Sequence, residues 1–225
     1  MRTQKLLVAA AVLAISAATS VAQVYSLNIV GYVNLTFPAN SYSLVANPLD
    51  ATTNTLATVL TNAPAGLAVL SWTGSGYAEY DAVAPGSGFS WYDVGNDASG
   101  DNTPIPPGVG FFVHNTSGSP ISMTMVGSVR TGTNVTSLPS GYGLVSSVYP
   151  IATNLSGMNL TQSVTASTAV LTWNGGGYSE FDRLPDGTWY DVGNDAIAQP
   201  TINVGQGFFL RNPGSSVSWT NVFNP

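Results

Sequence analysis

"WYDVGNDA" occupies Trp91–Ala98, and the same eight letters return at Trp189–Ala196. A reaction centre is ordinarily needed once per domain, so an identical octapeptide in two places asks first for a structural reason. Side chains alternate along a strand, which turns Trp91 and Asp93 to one face and Tyr92 and Val94 to the other. Gly95, Asn96 and Asp97 then make the turn that ends the strand, because Asn and Asp accept left-handed backbone and bond their own main chain. A duplicated fold keeps such a corner in both halves.

The octapeptide sits inside a longer correspondence. "AVLSWTGSGYAEYDAV" (Ala68–Val83) matches "AVLTWNGGGYSEFDRL" (Ala169–Leu184), and "PIPPGVGFFVHNTSGS" (Pro104–Ser119) matches "PTINVGQGFFLRNPGSS" (Pro200–Ser216). Upstream, "YSLVANPLDATTN" (Tyr42–Asn54) matches "YGLVSSVYPIATN" (Tyr142–Asn154). Each copy reads as short β-branched and aromatic runs separated by Gly, Pro, Asn and Asp turns, the signature of hairpins. One short helix is expected within "NTLATVLT" (Asn54–Thr61), where Leu56, Val59 and Leu60 fall at i, i+3 and i+4. The fold class expected is therefore all-β, with two tandem β-sandwich domains (Ig-like or jelly-roll-like) over residues 23–127 and 128–225.

The first 22 residues read as a signal peptide. Arg2 and Lys5 precede the apolar run Leu6–Ala18, and Ser20 and Ala22 set up cleavage before Gln23. That run is shorter than the roughly 20 apolar residues a spanning helix needs. The mature chain is thus expected to be secreted or held at the cell surface, with no integral membrane span. It keeps three cations, Arg130, Arg183 and Arg211, against eleven carboxylates, a net charge of −8. Such a surface cannot neutralise a run of phosphates, which excludes nucleic acid as a partner. With no cysteine, the chain has neither disulfides nor a thiol nucleophile.

The strings "LVANPLD" (Leu44–Asp50), "W-x-G-x-GY-x-x-YD" (Trp72–Asp81), "IPPGVGFF" (Ile105–Phe112) and "INVGQGFF" (Ile202–Phe209) resemble the β-sandwich unit of a group of bacterial exported proteins. The resemblance spans nearly all of both mature halves. It implies a sandwich fold, export, and a non-catalytic role in a surface or secreted protein. The second copy departs from it, with "SVY" at Ser147–Tyr149 and "NVG" at Asn203–Gly205.

Candidate chemistry divides by residue type. His114 is the only histidine, and Arg211 stands in its place in the second copy, so a triad and a zinc site are both set aside. Glu79 with Asp81, and Glu180 with Asp182, lie two apart on one strand face, roughly 7 Å between side-chain origins. That spacing overlaps the range of about 6.5–9.5 Å for inverting glycosidases. Such enzymes bring their carboxylates from different elements, however, so no catalytic residue is assigned and glycoside hydrolysis ranks last.

Asp93, Asn96, Asp97 and Asp101, with Asp191, Asn194 and Asp195, concentrate oxygens suited to calcium, against the plainer reading of a turn. No other cofactor is indicated. Trp72, Tyr77 and Trp91, with Trp173, Tyr178 and Trp189, are the platform a sugar-binding surface would use, if these rings are exposed rather than core. Finally, "YSLNIVGYVNLT" (Tyr25–Thr36) and "MTMVGSV" (Met123–Val129) share a "VG-x-V" string. The second strand is expected to end copy one and open copy two, leaving two unmatched ends that could pair between molecules. The leading expectation is a non-enzymatic surface or extracellular-matrix protein that assembles with itself as a homo-oligomer or filament. A polysaccharide-binding module is the alternative.

Overall fold

The computed structural model describes residues 29–224. The leader at residues 1–22 and the start of the Tyr25–Thr36 strand lie outside the described residues. Within that span the chain is built almost entirely of antiparallel strands, arranged as two sandwich-like units of the same plan.

In the first unit a ribbon of β1 (Val30–Phe37) and β8 (Ile121–Ser128) packs over a six-stranded sheet. The sheet order is β2 (Ser41–Ala46), β7 (Gly110–Asn115), β3 (Leu67–Trp72), β4 (Tyr77–Ala82), β5 (Trp91–Asp93) and β6 (Ala98–Ser99). Period-two alternation sends one face inward: Val45, Phe111, Val113, Val69, Tyr80 and Trp91 meet Val33, Phe37, Met123 and Met125 of the ribbon in one core. Leu56, Val59 and Leu60 close that core from a single helical turn, Leu56–Val59.

The second unit repeats the plan. Its sheet runs β10 (Gly141–Val145), β17 (Phe208–Asn212), β12 (Ala169–Trp173), β13 (Tyr178–Arg183), β14 (Trp189–Asp191) and β15 (Ala196–Ile197). Its ribbon is β9 (Gly132–Leu138) with β18 (Val217–Phe223), and a short pair, β11 (Thr153–Asn154) with β16 (Thr201–Ile202), lies to one side. A helical turn at Leu160–Ser163, which sequence periodicity did not single out, matches the one in the first unit.

The ribbons correct one expectation. Met123–Val129 does not open the second copy: β8 pairs with β1 along its length, and the second unit opens on β9, which pairs with β18. Each unit therefore closes on its own two end strands. The shared "VG" string has a local cause. Gly31 lies opposite Gly127, and a Cβ on Gly127 would come within 2.6 Å of the Asp50 carbonyl oxygen. The glycine pair opens the gap through which Leu49 and Asp50 cross the ribbon, held by Asp50–Ser128 backbone bonds of 2.9 and 2.8 Å. Arg130, in the link between units, grips Asp50 with Nε on Oδ2 at 2.6 Å and a second nitrogen on Oδ1 at 2.8 Å. Among the described residues no helix is long and apolar enough to cross a membrane.

Candidate binding site between the two units

The outward face of each six-stranded sheet carries the sequence candidates. In unit one, register sets Leu44, Phe112, Leu70 and Glu79 in one row, and Tyr42, His114, Ala68, Asp81 and Tyr92 in the next. Trp72 stands opposite Tyr77 at the end of the hairpin. Unit two reproduces the rows as Leu144, Phe209, Leu171, Glu180 and Tyr142, Arg211, Ala169, Asp182, Tyr190, with Trp173 opposite Tyr178.

The apolar ends of these two faces cover each other. Leu44, Phe112, Leu144 and Phe209 are buried together, flanked by Leu70, Trp72, Leu171 and Trp173. The main contacts across this seam come in pairs. The Trp72 indole N–H donates to the Tyr142 carbonyl at 3.1 Å, and that of Trp173 donates to the Tyr42 carbonyl at 2.9 Å. Trp72 meets Phe209 edge-to-face at 5.3 Å, and Trp173 meets Phe112 in the same way at 5.3 Å. The Ala46 amide donates to the Gly205 carbonyl at 2.9 Å, and the Ser146 amide to the Gly108 carbonyl at 3.1 Å. Paired contacts of i with j and j with i mark an isologous, twofold interface. Here the two partners are halves of one chain.

The glycine-rich strings make this clasp. Gly108 and Gly205 both take positive φ, +94° and +74°, so each loop folds back onto the opposite unit without a Cβ penalty. Gly207 approaches so closely that a Cβ would lie 2.8 Å from the Val45 carbonyl oxygen and 3.3 Å from the Gly110 Cα.

On either side of the pseudo-axis the aromatic seam opens into a hollow. One, of about 270 Å³, is walled by Trp72, Tyr77, Tyr142, Leu171, Tyr178 and Phe209. Its twin, of about 280 Å³, is walled by Trp173, Tyr178, Tyr42, Leu70, Tyr77 and Phe112. Tyr77 and Tyr178 wall both hollows. Burial pushes both phenols above the ordinary tyrosine value, and for Tyr178 the neighbouring Tyr77 adds to the rise.

Of the residues singled out from sequence, Trp72, Tyr77, Trp173 and Tyr178 thus converge on one seam. Trp91 and Trp189 do not: they are 0% and 2% exposed and fill the two cores, because Trp91 faces the opposite side of its sheet from Tyr92. The carboxylate pairs flank the hollows, since Glu79 is opposite Leu70 and Glu180 opposite Leu171. In unit two both acids are held by Arg211, at 3.1 Å to Glu180 and 3.3 Å to Asp182. In unit one His114 instead stacks on Tyr42, centroids 3.9 Å apart.

The oxygens counted as calcium ligands serve the chain itself. Asp93 Oδ1 accepts from the amides of Gly95 and Asn96, and Oδ2 accepts from the Asn96 side chain. Asp191 does the same with Gly193 and Asn194. Asp97 and Asp195 sit at φ of +51° and +52° and accept from the hydroxyls of Tyr92 and Tyr190. Asp101 takes the amides of Ser90 and Trp91 on one oxygen, at 2.9 and 2.8 Å. Among the described residues no three His, Asp or Glu side chains are grouped to hold a metal ion. These bonds give the octapeptide a structural reason: a tryptophan for the core, then a self-bonded corner.

Sequence reasoning missed Tyr42, Tyr142, Phe112 and Phe209. The "FF" in each copy was the available signal. Two successive phenylalanines in a strand put one ring on each face, so the outward one demands a cover. No protein-family model, curated protein or solved structure matches this chain.

Proposed function

We propose that this chain is an exported, non-enzymatic structural protein of a cell surface or extracellular matrix, built as a fused pseudo-dimer that assembles head to tail by strand addition. The observation that carries the reading is that residues shared by the two copies serve the architecture. Trp91 and Trp189 fill cores, Asp93 and Asp191 close their own turns, and Trp72 and Trp173 bond across the seam.

Assembly draws support from the ribbons. Each ribbon strand is laddered to one partner strand only, and none of β1, β8, β9 and β18 carries a charged residue or a proline. Those are the guards that ordinarily protect strand edges. Val30, Tyr32, Val126, Val135 and Val222 stand exposed on the two ribbons.

Sedimentation of the mature chain over a wide concentration range tests the reading. The expected result is mass growing with concentration, abolished by Val126→Lys with Val222→Lys. A single monomeric species at every concentration, with no filaments by electron microscopy, overturns assembly. Recovery of a chain beginning at Gln23 outside the cell checks export.

A further inference from the structure

We propose that the twin hollows form a bivalent binding site for the pyranose rings of an uncharged polysaccharide, one ring on each side of the pseudo-axis. Larger hollows lie elsewhere, but none of them gathers more than one aromatic side chain. The seam gathers ten aromatic and leucine walls into two equivalent pockets. The open walls are Tyr42, Tyr77, Tyr142 and Tyr178, between 41% and 48% exposed, although apolar ring faces are ordinarily covered when a unit is complete.

The chemistry favours a sugar over a purely apolar guest. A pyranose presents C–H bonds on its ring face and hydroxyls around its edge. Aromatic faces receive the first, and the carboxylates Glu79 and Glu180 in the rows that flank the hollows receive the second. The walls are held before binding. Trp72 and Trp173 are fixed by their cross-seam bonds, and Tyr42 is fixed by its stack on His114. Less ordering is then required of the protein on binding. The eleven carboxylates against three arginines of the described chain repel polyuronates and sulfated glycans, which leaves uncharged chains.

Two hollows on one chain add avidity without new contacts. Removing the open wall of one hollow should therefore weaken binding about tenfold, and removing both should abolish it.

Affinity electrophoresis of the mature protein through gels containing hydroxyethylcellulose, galactomannan or laminarin, with alginate as the charged control, reads this directly. The expected result is retardation by at least one uncharged polymer and not by alginate. Tyr42→Ala and Tyr142→Ala should each reduce it about tenfold, the double variant should remove it, and Tyr42→Phe should retain it. Unchanged melting temperatures in the alanine variants show that the fold is intact. Migration unaffected by all three uncharged polymers overturns the proposal, as does retardation that survives the double alanine variant. Neither result bears on assembly, which is read by sedimentation.

Discussion

The close approach at Gly207 makes a demanding prediction. Its φ is outside the left-handed region, so alanine is conformationally allowed there and would ordinarily stabilise by about 0.4–1 kcal/mol through the unfolded chain. The added Cβ, however, would meet the Val45 carbonyl oxygen at 2.8 Å, with the Gly110 Cα and a Leu44 methyl both at 3.3 Å. Two of those atoms are backbone, and moving Val45 disturbs the neighbouring Ala46–Gly205 bond. Overpacking of this kind costs about 1–3 kcal/mol, so Gly207→Ala should destabilise by about 1–2 kcal/mol after the entropic gain is set against it. Gly110→Ala has the pseudo-equivalent position but meets its nearest neighbours at 3.1 and 3.2 Å, and should cost less. Gly176→Ala meets nothing within 4 Å and is the control. Urea unfolding followed by tryptophan fluorescence and by circular dichroism should show one transition in the parent and a lower midpoint in Gly207→Ala. Should the two units uncouple, the apparent slope falls as well. Equal stability of Gly207→Ala and Gly176→Ala would refute the clasp.

Three further outcomes follow from single contacts. The Trp91 indole N–H is buried without a partner, whereas Trp189 donates to Thr161 Oγ1 at 2.8 Å. The first-unit counterpart of Thr161 is Ala57, so Ala57→Thr should raise stability by about 1 kcal/mol and Thr161→Ala should lower it by about 1–3 kcal/mol in thermal melts. Tyr77 and Tyr178 have folded pKa values raised above the ordinary value of about 10. Their stabilisation is complete below that pH and is lost as pH rises through the folded values, so Tyr77→Phe with Tyr178→Phe should move the alkaline unfolding midpoint upward. The Arg130 guanidinium holds the Asp50 carboxyl below its usual range. That contribution is present above about pH 4 and fades as pH falls further, and Arg130→Ala should cost about 0.5–1 kcal/mol at neutral pH because the pair is partly exposed.

Much of this architecture was legible in the letters because it is local. The "TGSG" and "NGGG" turns, the alternating runs beside them and the Asp-x-Gly-Asn corner state their conformation within a few residues. The role of each ring was harder to read. Trp72 and Trp91 sit in equally aromatic company, yet one lines a seam and the other fills a core. That choice depends on register with neighbouring strands and on what covers the outer sheet face, neither of which a local pattern carries. The pairing of β1 with β8 was obscured for a related reason: a strand at a copy boundary can be assigned to either copy until its partner is known. The twofold seam was least accessible. It depends on Gly110 and Gly207 meeting across nearly a hundred residues, and in the sequence each looks like an ordinary turn glycine.

The five indole N–H groups offer the most direct test, because each can be followed separately by hydrogen exchange in NMR spectra. Trp72 and Trp173 belong to different units and are partly buried in the seam, and the reciprocal bonds to the Tyr142 and Tyr42 carbonyls should slow their exchange. Two halves clasped about a pseudo-twofold axis predict protection of both indoles, lost together in Gly207→Ala. Exchange of either indole at the rate of a free side chain in the parent protein would contradict the account.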